Sequence, residues 1–272
     1  MKFNYRNKTI QFIIVITILL FFGITKGFDH HLINNFENEF FGTVTFLLII
    51  ITSIHLTILF FGSYLIQLNF HIKSLNKGDR TIRRISITFD DGPTPEITEK
   101  LLKILAKHKI QASFFMIGKN IEQNIDIAKK VSEQGHIIGN HSYYHANMFD
   151  MQSSKKMLDE ITKTNELIKS IIGKEPTLFR PPFGITNPML AKAVKKSKMH
   201  SIGWSLRSLD TMKTKERTLK KIKYKVRNGD IILLHDNNEN IIEIVDEFIT
   251  YTKNIGIEIV SLEHLLKIKA YK

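Results

Sequence analysis

The chain of 272 residues contains no cysteine. Disulfide bonds, thiolate metal sites and a cysteine nucleophile are therefore excluded, and any metal must be held by histidine and carboxylate. Arginine-rich tracts and ladders of stacking aromatic residues are also missing, which argues against a nucleic-acid partner. Sequence repeats, low-complexity segments and a second linker are absent beyond residue 80, so the sequence does not predict a repeat protein.

The residues that are present predict one good-sized globular domain with an additional segment. Apolar residues make up 43% of the chain and aromatic residues 10%, which excludes a disordered polymer. The 39 basic and 26 acidic residues give a net charge of +13, which would suit anionic lipid or a phosphate-bearing substrate. No pattern in the sequence points to a protein partner.

Two apolar runs lie at the amino-terminal end. The first reads "IQFIIVITILLFFGI" over residues 10–24, and the second covers residues 40–68. They predict a membrane anchor over residues 1–78 with two transmembrane helices, at about 9–27 and about 41–68. A cleaved signal peptide is the alternative for the first run, but "FGITKGF" offers no small-residue cleavage site.

The charges that flank these runs predict a multi-pass protein of the cell (inner) membrane. The connector between the runs is mostly acidic, whereas basic residues lie outside both runs, at Lys2, Arg6, Lys8, Lys73, Lys77, Arg80, Arg83 and Arg84. The positive-inside rule therefore predicts both chain ends, and the domain that follows the second run, on the cytoplasmic side. Cleavage of the first run would reverse this, which leaves an outward-facing domain as the alternative.

Short β-rich runs alternate with helical patterns after the polar stretch "NKGDRTIRR", where we predict the start of a catalytic domain over residues 79–272. The predicted strands are residues 84–89, 112–118, 136–141, 177–182, 200–206, 230–235 and 257–262. Seven such units predict a parallel α/β sheet or barrel, with chemistry beyond the carboxyl ends of the strands. Polar residues follow those ends, at Asp90, Asp91, His141, Arg180, Asp210, His235 and Asp236.

The motifs "HSYYH" and "TFDD" together predict a metal site. His141 and His145 are four residues apart, and with one aspartate they form the two-histidine, one-carboxylate set that leaves positions open for water and substrate. The second aspartate can act as a base toward the water and pair with Arg180. His235 can protonate a leaving group, although a histidine that caps a buried strand is the structural alternative.

Four motifs in this order, "TFDDGP", "HSYYH", "RPPFG" and "LLHD", resemble the signature of the polysaccharide deacetylase family, also called the NodB-homology domain or carbohydrate esterase family 4. The resemblance covers about residues 80–265. It implies a distorted (β/α)7-type barrel behind the two membrane helices. It also implies a divalent metal, usually zinc, with cobalt or another divalent ion possible, and removal of acyl groups from N-acylated amino sugars.

The resemblance also implies roles for individual residues. Asp90 matches the catalytic base, which Arg180 tethers, and water activated by the metal attacks the amide carbon. Asp91 matches the metal ligand beside His141 and His145. The general acid would be His235. Substrate-binding positions would be Phe183 through its backbone N–H, Leu234 in an acetyl pocket, and Pro182, Trp204 and Arg207.

One motif departs from the family pattern. Where many members carry D-x-x-D-W, this chain reads "WSLRSLDT", with Arg207 in the first aspartate position, Asp210 in the second and Thr211 in place of tryptophan. Asp210 would still tune the general acid. Arg207 would either bind an anionic group of the substrate or pair with a surface acid.

The sequence thus predicts a membrane-anchored, metal-dependent hydrolase that removes N-acyl groups from amino sugars. A cytoplasmic domain would favour a lipid-linked saccharide, and an outward-facing domain would favour peptidoglycan or another polysaccharide. The alternative is a non-catalytic, glycan-binding membrane protein with a degenerate deacetylase fold.

Overall fold

A computed structural model describes residues 36–272, with side chains from residue 42 onward. The first predicted transmembrane helix, at residues 9–27, lies outside the described residues. The chain divides into one unit that ends at Phe61 and a second that covers Gly62–Lys272.

The second predicted transmembrane segment corresponds to an apolar helix, α1, Phe36–Tyr64. Its segment Gly42–Tyr64 has a mean hydropathy of 2.5 and none of that window is buried, and it is the one helix in the described residues long and apolar enough to cross a membrane. The predicted end at residue 68 is wrong, because Ile66 packs in the core of the second unit at 1% exposure. Within residues 36–272 the structure thus supports one apolar helix of membrane-spanning length, and the prediction of another at residues 9–27 falls outside that range.

The second unit is built on a curled sheet whose strand ladders are all parallel. Among the described residues it has nine strands in the order β1-β6-β5-β4-β3-β2-β8-β7, and β9 pairs with the start of β2. The strands are β1 (Ser74–Leu75), β2 (Arg84–Asp90), β3 (Ser113–Met116), β4 (Ile137–Asn140), β5 (Leu178–Phe179), β6 (His200–Ile202), β7 (Leu206–Arg207), β8 (Ile231–His235) and β9 (Glu258–Ile259).

All seven predicted strands are confirmed, but the run at 200–206 is divided between two places in the sheet. β6 lies next to β1 at one end and β7 forms the other end, and only residues 203–205 connect them. Four residue steps span at most about 14 Å, so the two ends of the sheet lie close together. The sheet is thus a partial barrel, open between its two terminal strands β7 and β1, rather than a closed seven-stranded barrel.

Amphipathic helices cover the outside of the sheet. They are α2 (Ile97–His108), α3 (Gly118–Gln123), α4 (Ile125–Glu133), α5 (Ser154–Ile172), α6 (Pro188–Ser197), α7 (Lys215–Lys225), α8 (Asn240–Asn254) and α9 (Leu262–Leu266). Leu101, Leu102 and Leu105 of α2 are buried in the cluster between helices and sheet, as their helical spacing predicts. A second cluster, which contains Trp204 and Leu233, fills the interior of the curled sheet.

The second unit begins earlier in the chain than the predicted boundary at residue 79. β1 pairs with β6 in the register Ser74↔Ser201, and the Gln67 Nε2 donates to the Trp204 carbonyl at 3.0 Å. The segment between α1 and residue 79 is therefore part of the fold of the domain.

Candidate active site

The predicted site residues gather at the carboxyl ends of the parallel strands. Asp90 is the last residue of β2, and His235 is the last residue of β8, paired with Asp90 in register. His141 follows β4 directly, and Arg180 follows β5. Because paired residues of adjacent strands point to the same side of the sheet, the side chains of Asp90 and His235 lie on the same face.

The two adjacent aspartates have different environments because the chain bends between them. Asp90 is extended and buried, whereas Asp91 has a φ of 83° and a side chain that is 25% exposed. This positive φ ends the strand alternation, so both carboxylates border the same space. Gly92 follows because a Cβ there would lie 2.1 Å from the Asp236 Oδ2.

The predicted metal ligands Asp91, His141 and His145 lie together, with their ligand atoms within 4.8 Å of one another. The Asp91 Oδ1 is 3.8 Å from the His141 Nε2 and 3.7 Å from the His145 Nε2. Nitrogen and oxygen ligands of a tetrahedral zinc ion are about 3.3–3.6 Å apart, since each bond is about 2.0–2.2 Å, so the two Asp91 distances need to shorten by only a few tenths of an ångström. The three side chains therefore fit a divalent cation.

Hydrogen bonds orient these ligands. The His141 Nδ1 donates to the Arg180 carbonyl at 2.7 Å, which directs the Nε2 lone pair toward Asp91. The Asn237 Nδ2 donates to the Asp91 Oδ2 at 2.9 Å, so the other carboxylate oxygen, Oδ1, faces the two histidines. Burial, with the neighbouring His145, lowers the pKa of His141 to about 3. His141 is thus a neutral imidazole, the form that binds metal.

Arg180 and Asp90 form a fully buried ion pair at 2.6 Å. The same guanidinium nitrogen donates to the Thr88 hydroxyl at 2.8 Å, and the others donate to the carbonyls of Ile202 and Gly203. Burial raises the pKa of Asp90, and the charge and hydrogen bond of Arg180 oppose that rise. The Asp90 Oδ2 remains 3.8 Å from the His141 Nε2, so this oxygen borders the candidate metal site.

His235 is paired with Asp210. The His235 Nδ1 lies 3.0 Å from the Asp210 Oδ1, and the His235 backbone N–H donates to the Oδ2 at 2.9 Å. The Ser208 hydroxyl donates to the same carboxylate. Burial by itself would lower the pKa of His235, but the hydrogen bond and charge of Asp210, with Asp91 and Asp90 behind it, raise that pKa to about 9. His235 therefore carries a proton at neutral pH.

The "RPPFG" loop forms one wall of the site. Phe183 has a φ of 59°, and its ring centroid lies 4.5 Å from that of His145. Pro182 is buried at the start of the same turn. Gly184 has a φ of 70°, and a Cβ there would lie 2.2 Å from the Trp204 ring. Trp204 is 6% exposed, so its ring supports this loop from below rather than offering a broad face to a substrate.

Leu234 differs from its predicted position. The side chain is fully buried in the cluster between the sheet and the helices, so it does not line the site. Its neighbour Leu233 packs in the interior cluster instead. The reason is strand alternation: His235 and Leu233 share one face of β8, and Leu234 points to the other.

Arg207 lies half-buried on β7 in register with Leu233. In the part of the chain that the structure describes, its Nε has no hydrogen-bond partner and the side chain forms no ion pair. The pairing with a surface acid is therefore not observed there. The free guanidinium is compatible with the other prediction, binding of an anionic group.

Three polar residues that support the site were not given roles from the sequence. Asn237 orients Asp91, and Asp236 is fully buried, with the Thr98 hydroxyl donating to it at 2.7 Å and burial raising its pKa to about 7. The Glu160 Oε2 accepts the backbone N–H groups of Tyr143 and Tyr144, and so fixes the "HSYYH" loop. Asp236 and Asn237 could have been found from the sequence because they directly follow the end of a strand. Glu160 stands out in the sequence only as an acid on the buried face of a helix.

Comparison with known proteins gives a consistent result. The family model for polysaccharide deacetylase matches residues 77–202. The peptidoglycan-N-acetylglucosamine deacetylase PgdA of Listeria monocytogenes is 33% identical over 190 residues, which is 68% of this chain and 39% of that protein. The peptidoglycan-N-acetylmuramic acid deacetylase PdaA of Bacillus subtilis is 31% identical over 195 residues, 70% of this chain and 73% of that protein. This chain thus spans about two-fifths of the length of PgdA.

Solved structures share the fold. The Bc1960 peptidoglycan N-acetylglucosamine deacetylase superposes with a TM-score of 0.69 at 27% identity, over 72% of this chain and 94% of that chain. A CE4 family pseudoenzyme from Bacillus anthracis superposes with a TM-score of 0.66 at 27% identity, over 71% and 68% of the two chains. The fold is therefore shared by enzymes and by at least one pseudoenzyme, so function must be argued from the site.

Proposed function

We propose, from the premise that this chain belongs to the polysaccharide deacetylase family, that it hydrolyses the N-acetyl group of an amino sugar in a glycan. The observation that carries the proposal is the convergence of a buried carboxylate, a three-residue ligand set and a protonated histidine on one space. These are the base, the metal site and the acid that amide hydrolysis requires. The relatives PgdA and PdaA, deacetylases of N-acetylglucosamine and N-acetylmuramic acid in peptidoglycan, support an N-acetylated amino sugar of peptidoglycan as substrate.

The residues of the candidate site take different roles in the proposed hydrolysis. A divalent cation held by Asp91, His141 and His145, for which zinc fits the nitrogen and oxygen donors, would polarise the amide carbonyl and lower the pKa of water. Asp90 accepts the proton of the attacking water at Oδ2, because Arg180 already occupies Oδ1. The Phe183 backbone N–H donates to the oxyanion that develops on the carbonyl oxygen.

His235 completes the reaction. Its proton passes to the amide nitrogen as the C–N bond breaks, and a carboxylate and a free amine leave. Asp210 keeps His235 protonated for this step. Pro182 and Trp204 hold the loop that carries Phe183, and Arg207 binds an anionic group of the substrate.

We further propose that α1 anchors the enzyme in a membrane. Its apolar segment Gly42–Tyr64 is long enough to span and none of its window is buried in the described structure. A reporter fused to the carboxyl terminus tests the side of the membrane. Alkaline phosphatase activity would place the domain outside, with peptidoglycan as substrate, and its absence together with activity of a cytoplasmic reporter would favour a lipid-linked saccharide.

The second candidate is a glycan-binding protein without catalysis, since one structural relative is a pseudoenzyme. The two are separated by acetate release from N-acetylglucosamine oligomers and peptidoglycan, with the full chain in detergent and added zinc. We expect release by the wild type and a loss of about 10²- to 10⁴-fold in Asp90→Asn, the contribution of a general base.

Two measurements complete this test. Metal content should stay at the wild-type level in Asp90→Asn and fall in His141→Ala. The matched control is Asp126→Asn, an exposed acid of α4, which should keep full activity. A wild type that retains zinc and binds the oligomer but releases no acetate would establish the binding protein instead.

A further inference from the structure

Several exposed apolar side chains lie on segments that adjoin the candidate active site. We call five of them the apolar rim: Tyr144, Met148, Met151, Phe183 and Met189, with exposures from 39% to 73%. Phe183 contacts the ligand His145, and Tyr144 precedes His145 in the chain. Phe183 and Tyr144 are therefore beside a candidate metal ligand, and Met148 follows His145 by three residues. Grouped exposed apolar side chains are a feature of interaction sites.

The rim is tied to the point where the chain leaves the apolar helix. The Ser63 carbonyl accepts the backbone N–H of Thr186 at 2.8 Å, and Ser63 is among the last residues of the segment Gly42–Tyr64. Asn187 in turn donates to the Asp150 carbonyl at 2.6 Å. These bonds link the end of the helix to the segment that joins the Phe183 turn to the first turn of α6, which carries Met189. They also link it to the segment that carries Met148 and Met151.

The chain just after the helix is also apolar on its exposed side. Leu65, Leu68 and Phe70 are 36%, 56% and 49% exposed, whereas Ile66 between them is buried in the domain. The exposed residues thus continue the apolar character of the helix onto the surface of the domain. If Tyr64 lies at the boundary of the bilayer, these residues and the loops bonded to Ser63 lie within reach of the lipid headgroups.

We propose that the apolar rim contacts the membrane surface, so that the active site takes its amino sugar from a saccharide held at the bilayer. The occupant of the rim is lipid, because the rim is continuous in the chain with an apolar span, and methionine and aromatic side chains suit the interface between headgroups and acyl chains. The proposal rests on the proposed function and on α1 spanning the membrane. It adds that substrate presentation depends on the surface around the site.

The absence of cysteine permits a direct test of lipid contact. The full chain with Met148→Cys is labelled with an environment-sensitive fluorophore and reconstituted in nanodiscs of phosphatidylethanolamine and phosphatidylglycerol. The matched control is Tyr224→Cys, which is 87% exposed in the last turn of α7. Because α7 leads back to the start of β8, Tyr224 lies at the opposite ends of the strands from the site.

We expect acyl-brominated lipids to quench the label at residue 148 and not the label at residue 224. Equal quenching at both positions, or none at 148, would overturn the proposal. This readout does not require catalysis. Quenching at 148 in a protein that hydrolyses no glycan would leave the lipid contact standing and refute the proposed function.

An activity comparison tests the consequence. The double variant Met148→Gln, Met151→Gln should lose about tenfold on N-acetylglucosamine carried by a polyprenyl lipid in the nanodisc, and keep wild-type activity on a soluble oligomer. The double variant Ile82→Gln, Tyr224→Gln removes exposed apolar side chains elsewhere and should change neither activity. Equal losses on both substrates in the rim variant would show a structural effect and contradict the membrane role.

Discussion

Two histidines of the site are held in opposite protonation states by their neighbours. His141 is buried next to another imidazole, and its pKa falls to about 3. His235 is also buried, but the Asp210 carboxylate receives two hydrogen bonds from it, and its pKa rises to about 9. In the proposed mechanism the same residue type thus serves as a neutral metal ligand and as a proton donor at one pH, because the charged partner differs.

The first prediction concerns this proton donor. A raised pKa keeps His235 protonated below pH 9, so deacetylation should decline only as the pH rises through that value. In Asp210→Asn the carboxylate charge is lost, the pKa of His235 falls, and the alkaline limb of the profile of kcat/KM against pH should move to lower pH. Ser208→Ala, which removes one hydrogen bond to Asp210, should move it less. An unmoved limb in Asp210→Asn would exclude His235 as the acid.

The second prediction concerns the orientation of a metal ligand. Asn237→Ala removes the donor that holds the Asp91 Oδ2, and zinc affinity should fall by about 10- to 100-fold. Competition with a fluorescent chelator measures that affinity. Its control is Asn238→Ala, because the side-chain polar atoms of Asn238 have no hydrogen-bond partner in the described part of the chain. Equal affinities for the two variants would contradict the role of Asn237.

The residues that border the site could be predicted where they lie at the end of a predicted parallel strand, because that place in the chain determines where they lie in the fold. Asp90, His141 and His235 end or follow parallel strands, so one edge of the sheet had to gather them. The prediction for Leu234 was wrong because the side of the sheet to which a strand residue points depends on strand register, and a sequence motif does not specify that register. Glu160 stood out only as an acid on the buried face of a helix, and its contact with the "HSYYH" loop was not predictable because it comes from tertiary packing of α5.

At the scale of single elements, α5 permits a third prediction. The Ser153 hydroxyl accepts the Lys156 backbone N–H and caps the helix. Ser153→Ala should lower the free energy of unfolding by about 1 kcal/mol, whereas Ser153→Asp should retain it. Ser154→Ala, one residue further along and inside the helix, should have a smaller effect. Urea denaturation followed by circular dichroism measures these differences, and equal values for Ser153→Ala and wild type would contradict the cap.

The order of strands and helices was predictable because hydrophobic periodicity is a local property. The division of residues 200–206 into β6 and β7 was not, because it depends on how far the sheet curls, which the whole set of strands determines. The two-residue strand β1 was missed for a related reason: Ser74 and Leu75 have no alternating pattern of their own and are ordered by pairing with β6.

At the scale of the whole molecule, the start of the folded domain decides which fragment will be stable. The segment that leads from α1 into β1 contributes Ile66 to the interior cluster beside Trp204, and Ser74 bonds to Ser201 at 2.7 Å. A fragment of residues 79–272 lacks all of these contacts and leaves the edge strand β6 unpaired on that side. The polar stretch around Gly78 is therefore a loop within the domain and not a linker before it.

We accordingly expect the fragment 62–272 to show a cooperative thermal transition and the fragment 79–272 to melt at a lower temperature or to remain aggregated. The substitution Ile66→Ala in the longer fragment isolates one part of this effect and should lower the free energy of unfolding by about 2–5 kcal/mol, the range for a buried isoleucine. Leu68→Ala is the matched control, since Leu68 is 56% exposed. Equal melting temperatures for the two fragments would show that the domain begins at residue 79 after all, because a strand and a core side chain that can be removed without cost are not part of the fold.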